Sequence, residues 1–166
     1  LYSFLENSAR KYPDRTALIF YGNHISYISL GESTSRFANA LRHLGVKKGD
    51  RVALMLPNVP QFVISYYGVL KAGGIVVALN PLNEEAEIAR ELADSGVETV
   101  IVLDRFLQKA ETAKANVKNL IATRGEAYLP RSLKLLSSLR RGRPTARGLR
   151  FETLVREHPP MTEEVE

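Results

Sequence analysis

The feature that most restricts the fold of this chain is an alternation in its middle. Short, almost continuous apolar runs at residues 51–56, 75–79, 98–103 and 120–123 are separated by longer stretches with helical periodicity. Apolar runs of this length suit strands buried on both faces. Helices between successive strands are the connections that parallel strands need, and such crossovers are right-handed in nearly all folds. The expected class is therefore α/β, a mainly parallel sheet flanked by helices.

The segments between the runs carry their own signals. Residues 60–72 read as a helix with Phe62, Tyr66, Val69 and Leu70 on its buried side. Asn83 is placed to cap a helix whose first turn holds Glu84, Glu85 and Glu87, acids that suit the positive end of a helix dipole. Ile88 and Leu92 would face inward, and Gly96 ends that helix. A further helix is expected at 104–115.

Ahead of the alternation, Leu1, Phe4, Leu5 and Ala9 recur at helical spacing until Tyr12-Pro13, where proline disfavours helix at the residue before it. Residues 16–21 and 24–28 are β-branched and aromatic runs around Gly22-Asn23, a dipeptide that tolerates the positive φ of a tight hairpin. Ser29 followed by Glu32 fits a capping box, after which Leu30, Phe37, Ala38, Leu41 and Leu44 form one apolar face up to Gly45.

The pattern breaks after Thr123. Residues 124–150 hold eight basic residues against the single acid Glu126, whereas the rest of the chain carries 15 basic and 17 acidic residues. The positive balance thus belongs to one segment, and no nucleic-acid partner is inferred from it. Within it, Leu129, Leu133, Leu136 and Leu139 lie beside Lys134, Arg140 and Arg141. Lys134, Arg140, Arg141 and Arg143 are the candidate contacts to an anionic lipid surface, because a leucine stripe edged with basic residues meets such surfaces. An exposed linker is the plainer alternative. Residues 151–157 read as a weak helical turn, and Pro159-Pro160 opens an acidic tail. The expected organisation is an α/β unit over 1–123, a basic insertion or linker over 124–150, and a short helix with its tail over 151–166.

Several function classes receive no support. The 166 residues contain no cysteine, so thiol catalysis and cysteine-based metal sites are excluded. No apolar run approaches the roughly 20 residues of a membrane-spanning helix. Neither a Gly-x4-Gly-Lys-Ser/Thr loop nor a Gly-x-Gly-x-x-Gly fingerprint occurs. Lys71-Ala72-Gly73-Gly74 sits at a helix end before a strand, so it reads as a C-cap rather than a phosphate loop. His24, His43 and His158 lack the paired spacing of a zinc site. Glu84, Glu85, Glu87 and Glu91 read as a solvated helix face, and no Ser stands in a Gly-x-Ser-x-Gly setting. No catalytic, cofactor-binding or metal-binding residue is assigned.

Five stretches in order carry a resemblance: Tyr12-Pro13-Asp14-Arg15-Thr16-Ala17-Leu18; Ile25-Ser26-Tyr27; Gly45-Val46-Lys47-Lys48-Gly49-Asp50-Arg51-Val52-Ala53; Leu56-Pro57-Asn58; and Leu70-Lys71-Ala72-Gly73-Gly74-Ile75-Val76-Val77-Ala78-Leu79-Asn80-Pro81. Over about residues 1–123 the chain resembles the AMP-forming adenylating superfamily, and within it the medium- and long-chain fatty acyl-CoA synthetases. Ser29-Leu30 departs mildly from the Glu-Leu common there. The resemblance implies a ligase that joins a carboxylic acid to AMP and then to CoA, using ATP, Mg²⁺ and CoA. It also implies that the ATP-handling loop lies beyond Glu166, so that these residues form an incomplete subdomain, inactive alone, whose partner is the remainder of a longer chain. A fatty acid is the implied substrate. A membrane or partner-binding module of the same ancestry, or an adenylating enzyme for another acid, stays open. The expected location is cytoplasmic, with peripheral membrane contact as its open extension, and apolar surface left uncovered in the piece would drive self-association.

Overall fold

A computed structural model describes residues 1–113, 116–138 and 148–161. Helix α1 (Tyr2–Lys11) leads into a hairpin of β1 (Thr16–Phe20) and β2 (Asn23–Ser26), and α2 (Tyr27–His43) follows at once. The alternation comes next: β3 (Arg51–Met55), α3 (Pro60–Lys71), β4 (Ile75–Ala78), α4 (Glu85–Ser95), β5 (Thr99–Leu103), α5 (Leu107–Ala113) and β6 (Asn119–Thr123). Then come α6 (Arg131–Ser138), β7 (Leu149–Arg150) and α7 (Phe151–Glu157).

The five strands β3 to β7 form one parallel sheet in the order β4-β3-β5-β6-β7. This is the α/β class that the alternation and the resemblance implied, preceded by the expected antiparallel hairpin. Alternate side chains of the central strands go to opposite faces, as the pleat requires. Val52, Leu54, Ile101 and Ile121 join one buried cluster with α2, α3 and α7. Ala53, Met55, Val100, Val102 and Ala122 join a second with α4 and α5. The handedness rule explains the two sides. From β3 the chain steps outward to β4 through α3, then reverses to β5 through α4, and a right-handed crossover in the opposite direction must lie on the opposite face.

Local chemistry departs from expectation at several points. The hairpin's positive-φ pair is Tyr21 (φ 48°) and Gly22 (φ 80°), with Asn23 already opening β2. Two positive φ values in sequence make the turn that matches strand twist, and here a tyrosine takes a position usually left to smaller residues. Helix α2 is capped by Ser26, whose hydroxyl accepts from the Ser29 N–H at 3.3 Å. The Ser29-Glu32 pair therefore lies one turn inside the helix. Asn83 does not cap α4, which starts behind Glu84 without a side-chain cap. Residues 104–106 form a 3₁₀ turn before α5, and residues 114–115 of the expected helix lie outside those described. The expected helical turn at 151–157 is a full α7, preceded by the strand β7 that no apolar run announced.

The buried side of α3 is also rotated from the one expected. Gln61, Ile64, Ser65, Gly68 and Val69 face the core, while Phe62, Tyr66 and Leu70 are half-buried. Small residues let two helices approach closely. A Cβ at Gly68 would lie 3.0 Å from the Phe37 ring and 3.4 Å from the Thr34 carbonyl oxygen on α2.

Candidate functional site

In open parallel sheets, ligands gather outside the carboxyl ends of the strands, at the point where strand order reverses direction. That point lies between β3 and β5, since β4 was laid on one side and β5 to β7 on the other. After β3 the chain runs through Pro57 and the exposed Asn58 into the proline-led start of α3. After β5, the Asp104 carboxylate accepts from the Arg105 N–H at 2.9 Å, and the Arg105 guanidinium lies 4.5 Å from the Phe106 ring centre.

Beside this point, at the end of β6, three elements are joined by one polar network. The buried Gln61 side chain of α3 donates through Nε2 to Thr123 Oγ1 (3.1 Å) and to the Arg124 carbonyl (2.7 Å). Thr123 in turn donates to Glu152 Oε1 at 2.7 Å, and the Arg124 N–H donates to the same oxygen at 3.0 Å. One carboxylate of α7 thus satisfies a side chain of β6 and the main-chain donor of the residue after it, and Gln61 ties both to α3. Buried polar groups placed this way specify a unique arrangement because leaving any one unpaired costs about 1–3 kcal/mol. Gln61 Oε1 has no hydrogen-bond partner within the protein.

Tyr128, in a 3₁₀ turn after β6, belongs to the same neighbourhood. Burial pushes its phenol from 10.0 up to about 12, the Glu152 charge adds to the rise, and a hydrogen bond with Ser33 opposes it. Its carbonyl accepts from Asn23 Nδ2 of the hairpin at 2.9 Å. The network holds elements together. The hydroxyl it sets beside a carboxylate, that of Thr123, is buried and also accepts from Gln61, and the carboxylate oxygen it bonds is shared with the Arg124 N–H.

The residues singled out in the sequence fall in separate places. Lys71 closes α3 and forms an ion pair with Glu6 of α1. Behind it, the Gly73 N–H donates to the Leu70 carbonyl (3.1 Å) and the Gly74 N–H to the Val69 carbonyl (2.9 Å), with Gly73 at φ 88°. These paired bonds are those of a Schellman C-cap, so both N–H groups are consumed by the helix and none is offered to a phosphate. Glu84, Glu85 and Glu87 are exposed on the first turn of α4, and half-buried Glu91 meets Asn83 Nδ2 at 3.5 Å. Lys134 is exposed on α6, and Arg140, Arg141 and Arg143 lie outside the described residues. His24 stands apart on β2, whereas His43 and His158 come into ring contact. Among the described residues, no group of three His, Asp or Glu side chains is placed to hold a metal ion. No helix among them is long and apolar enough to cross a membrane.

Sequence reasoning missed the Gln61-Thr123-Glu152 network. Its only available signal was the spacing of Gln61, Ser65 and Gly68 on one face of α3, which reads as polar rather than buried.

The fold and this edge have relatives. The profile of the family described as "AMP-binding enzyme" matches residues 5–156. A long-chain-fatty-acid–CoA ligase of Bacillus subtilis is 46% identical over 132 residues, spanning 78% of this chain and 24% of the relative. One from Yersinia pestis is 40% identical over 127 residues, 75% of this chain and 23% of the relative. Among solved structures, a benzoate CoA ligase from Burkholderia xenovorans LB400 superposes with a TM-score of 0.80 at 24% identity, over 99% of this chain and 29% of that one. The chain therefore spans about a quarter of the length of the curated relatives it matches.

Proposed function

The chain belongs to the AMP-binding enzyme family, and from that premise we propose that it is the N-terminal scaffold of an ATP-dependent, AMP-forming long-chain fatty acid–CoA ligase. The observation that carries this reading is the 46% identity to the Bacillus subtilis ligase over 132 residues. In the proposed reaction a fatty carboxylate attacks the α-phosphorus of ATP and expels pyrophosphate. The CoA thiol then attacks the acyl carbon and releases AMP.

Negative charge accumulates on phosphate oxygens in the first step, so the reaction class calls for Mg²⁺ and for cationic or N–H donors. The described residues offer no acid cluster for Mg²⁺, and both N–H groups after α3 are bound within the helix cap. No step of the reaction is assigned to them. Their contribution is a rigid sheet, fastened at its carboxyl edge by the Gln61-Thr123-Glu152 network, against which the ATP-handling remainder of a longer chain packs. Residues 1–123 supply most of this platform, 124–150 a basic insertion or linker that ends in β7, and 151–166 the short helix α7 with the acidic tail.

The test is pyrophosphate release by the longer protein across carboxylic acids of different length. Release with long-chain fatty acids, and none from the 166-residue chain alone, is the expected result. Release only with an amino acid or an aryl acid would move the assignment to another adenylating enzyme, and a reading frame that closes at Glu166 would remove the scaffold reading.

A second reading concerns the basic segment. Leu133 and Leu135 on α6 are 41% and 69% exposed on either side of Lys134, and exposed leucines beside a basic residue favour peripheral contact with an anionic membrane. Anionic vesicles should bind the chain in low salt, and replacing Arg140, Arg141 and Arg143 with Ser should abolish the binding. Unchanged binding after that substitution defeats the reading.

A further inference from the structure

On the flank of α2, two histidines distant in sequence come together. His43 lies in the last turn of α2 and His158 immediately follows α7. Their ring centroids are 5.1 Å apart, with planes inclined by 64°. Nδ1 of His43 lies 3.0 Å from the Asn39 carbonyl oxygen, and Nδ1 of His158 lies 3.0 Å from the Leu154 carbonyl oxygen. A carbonyl oxygen only accepts. Each Nδ1 therefore carries the proton and donates, which leaves the lone pair of each neutral ring on Nε2.

This is the preparation that metal-binding imidazoles show: one nitrogen donates to a carbonyl and fixes tautomer and orientation, and the other is left to ligate. Two imidazoles bound through Nε2 to one tetrahedral ion, at about 2.1 Å each, hold their ring centres about 5 Å apart. The ring centres of His43 and His158 are separated by a distance of that size. His43 is exposed and His158 half-buried, so a hydrated ion has access to the pair.

We propose that His43 and His158 form a two-imidazole site for a borderline divalent transition ion of the Zn²⁺, Ni²⁺ or Cu²⁺ class. Water would complete its coordination. Neutral nitrogen ligands select these ions over Mg²⁺ or Ca²⁺, which take oxygen. The surrounding charges moderate the affinity. Arg36 donates to the His158 carbonyl at 3.1 Å, Arg42 precedes His43 on α2, and Arg156 of α7 pairs with Glu157 at 3.2 Å. This positive excess makes the site an exchangeable one rather than a permanent structural centre. A bound ion would bridge α2 to the segment after α7, reinforcing the hydrogen bond that Asn39 Nδ2 makes to the Pro159 carbonyl at 3.0 Å. The proposal does not depend on the ligase reading.

The chain suits a direct test, because it has three histidines and no cysteine. Untagged protein is titrated with ZnCl2 or NiCl2 at pH 7.5 by calorimetry. One ion per chain is expected, with binding weakened at least about tenfold in His43→Gln and in His158→Gln and unchanged in His24→Gln. Long-range ¹⁵N spectra of the unsubstituted chain provide a readout that no variant can compromise by misfolding: on adding Zn²⁺, Nε2 of His43 and of His158 should shift together while both Nδ1 stay protonated. Binding that persists without either ring, binding that follows His24, absent shifts at the two Nε2 atoms, or no binding at millimolar ion would each overturn the proposal.

Discussion

The rings of Phe37 and Phe151 lie 4.5 Å apart, tilted by 43°, and neither is exposed to solvent. Phe37 belongs to α2, formed early in the chain, and Phe151 opens α7 near its end. Their contact seals the face of the sheet where α2, α3 and α7 meet, and the residue after Phe151, Glu152, accepts at the end of β6. The last described helix is thereby part of the core.

Truncating Phe151 to Ala should cost about 3–5 kcal/mol of stability, the range for an aromatic removed from a sealed core. Phe151→Leu, which keeps most of the volume, should cost clearly less. Urea denaturation followed by circular dichroism reads both. Equal and small effects for the two would mean that α7 is not held by this ring.

Gly68 is expected to resist even a methyl group. Its Cβ would stand 3.0 Å from the Phe37 ring, so the buried ring or the helix carrying it would have to give by a few tenths of an ångström. Alanine gains up to about 1 kcal/mol of helix propensity over glycine, while overpacking costs about 1–3 kcal/mol. Gly68→Ala should therefore be destabilising on balance, and a rise in the denaturation midpoint would contradict the tight approach of these helices.

Tyr128 sets an alkaline limit. Its phenol is raised from 10.0 to about 12, first by burial and then by Glu152, so the folded state keeps it neutral where the unfolded chain would ionise it. The stabilisation is complete below about pH 10 and is lost as pH rises towards 12, on the order of 2 kcal/mol across that window. Tyr128 should ionise late in a titration followed at 295 nm. Tyr128→Phe should remove that late step.

The 166-residue chain should self-associate. Leu1, Phe4, Ile19, Tyr21, Ile75 and Leu82 are all large and exposed, and side chains of this kind, where they gather into one patch, are ordinarily covered. Light scattering over a concentration series should show growing mass. A monodisperse monomer at high concentration would count against a missing partner surface.

Much of the architecture was legible because buried parallel strands need apolar residues on both faces, which made 51–56 and 98–103 stand out. Strand β7 was illegible for the converse reason: it is two residues long, and one of them is Arg150. The face of α3 was misjudged because hydrophobicity points to Phe62 and Tyr66, whereas close packing on α2 selects Gly68 and Ser65. Ser26 and Ser29 are equally good caps in isolation. Only the length of β2 decides between them. The polar network and the His43-His158 pair join residues remote in sequence, so no local pattern could have announced either.

The stitching at the opposite edge of the sheet bears on how the outermost strand keeps its place. Where β3 and β4 begin, the Gly49 N–H donates to the Gly73 carbonyl (2.9 Å) and the Ile75 N–H to the Asp50 carbonyl (2.8 Å). Alignment of β4 is dictated by these incoming turns rather than by its thinly covered side chains. Swapping Val76 or Val77 for another β-branched residue should leave the pairing untouched, whereas a side chain at Gly73 (φ 88°) would disturb the point from which the whole strand takes its register.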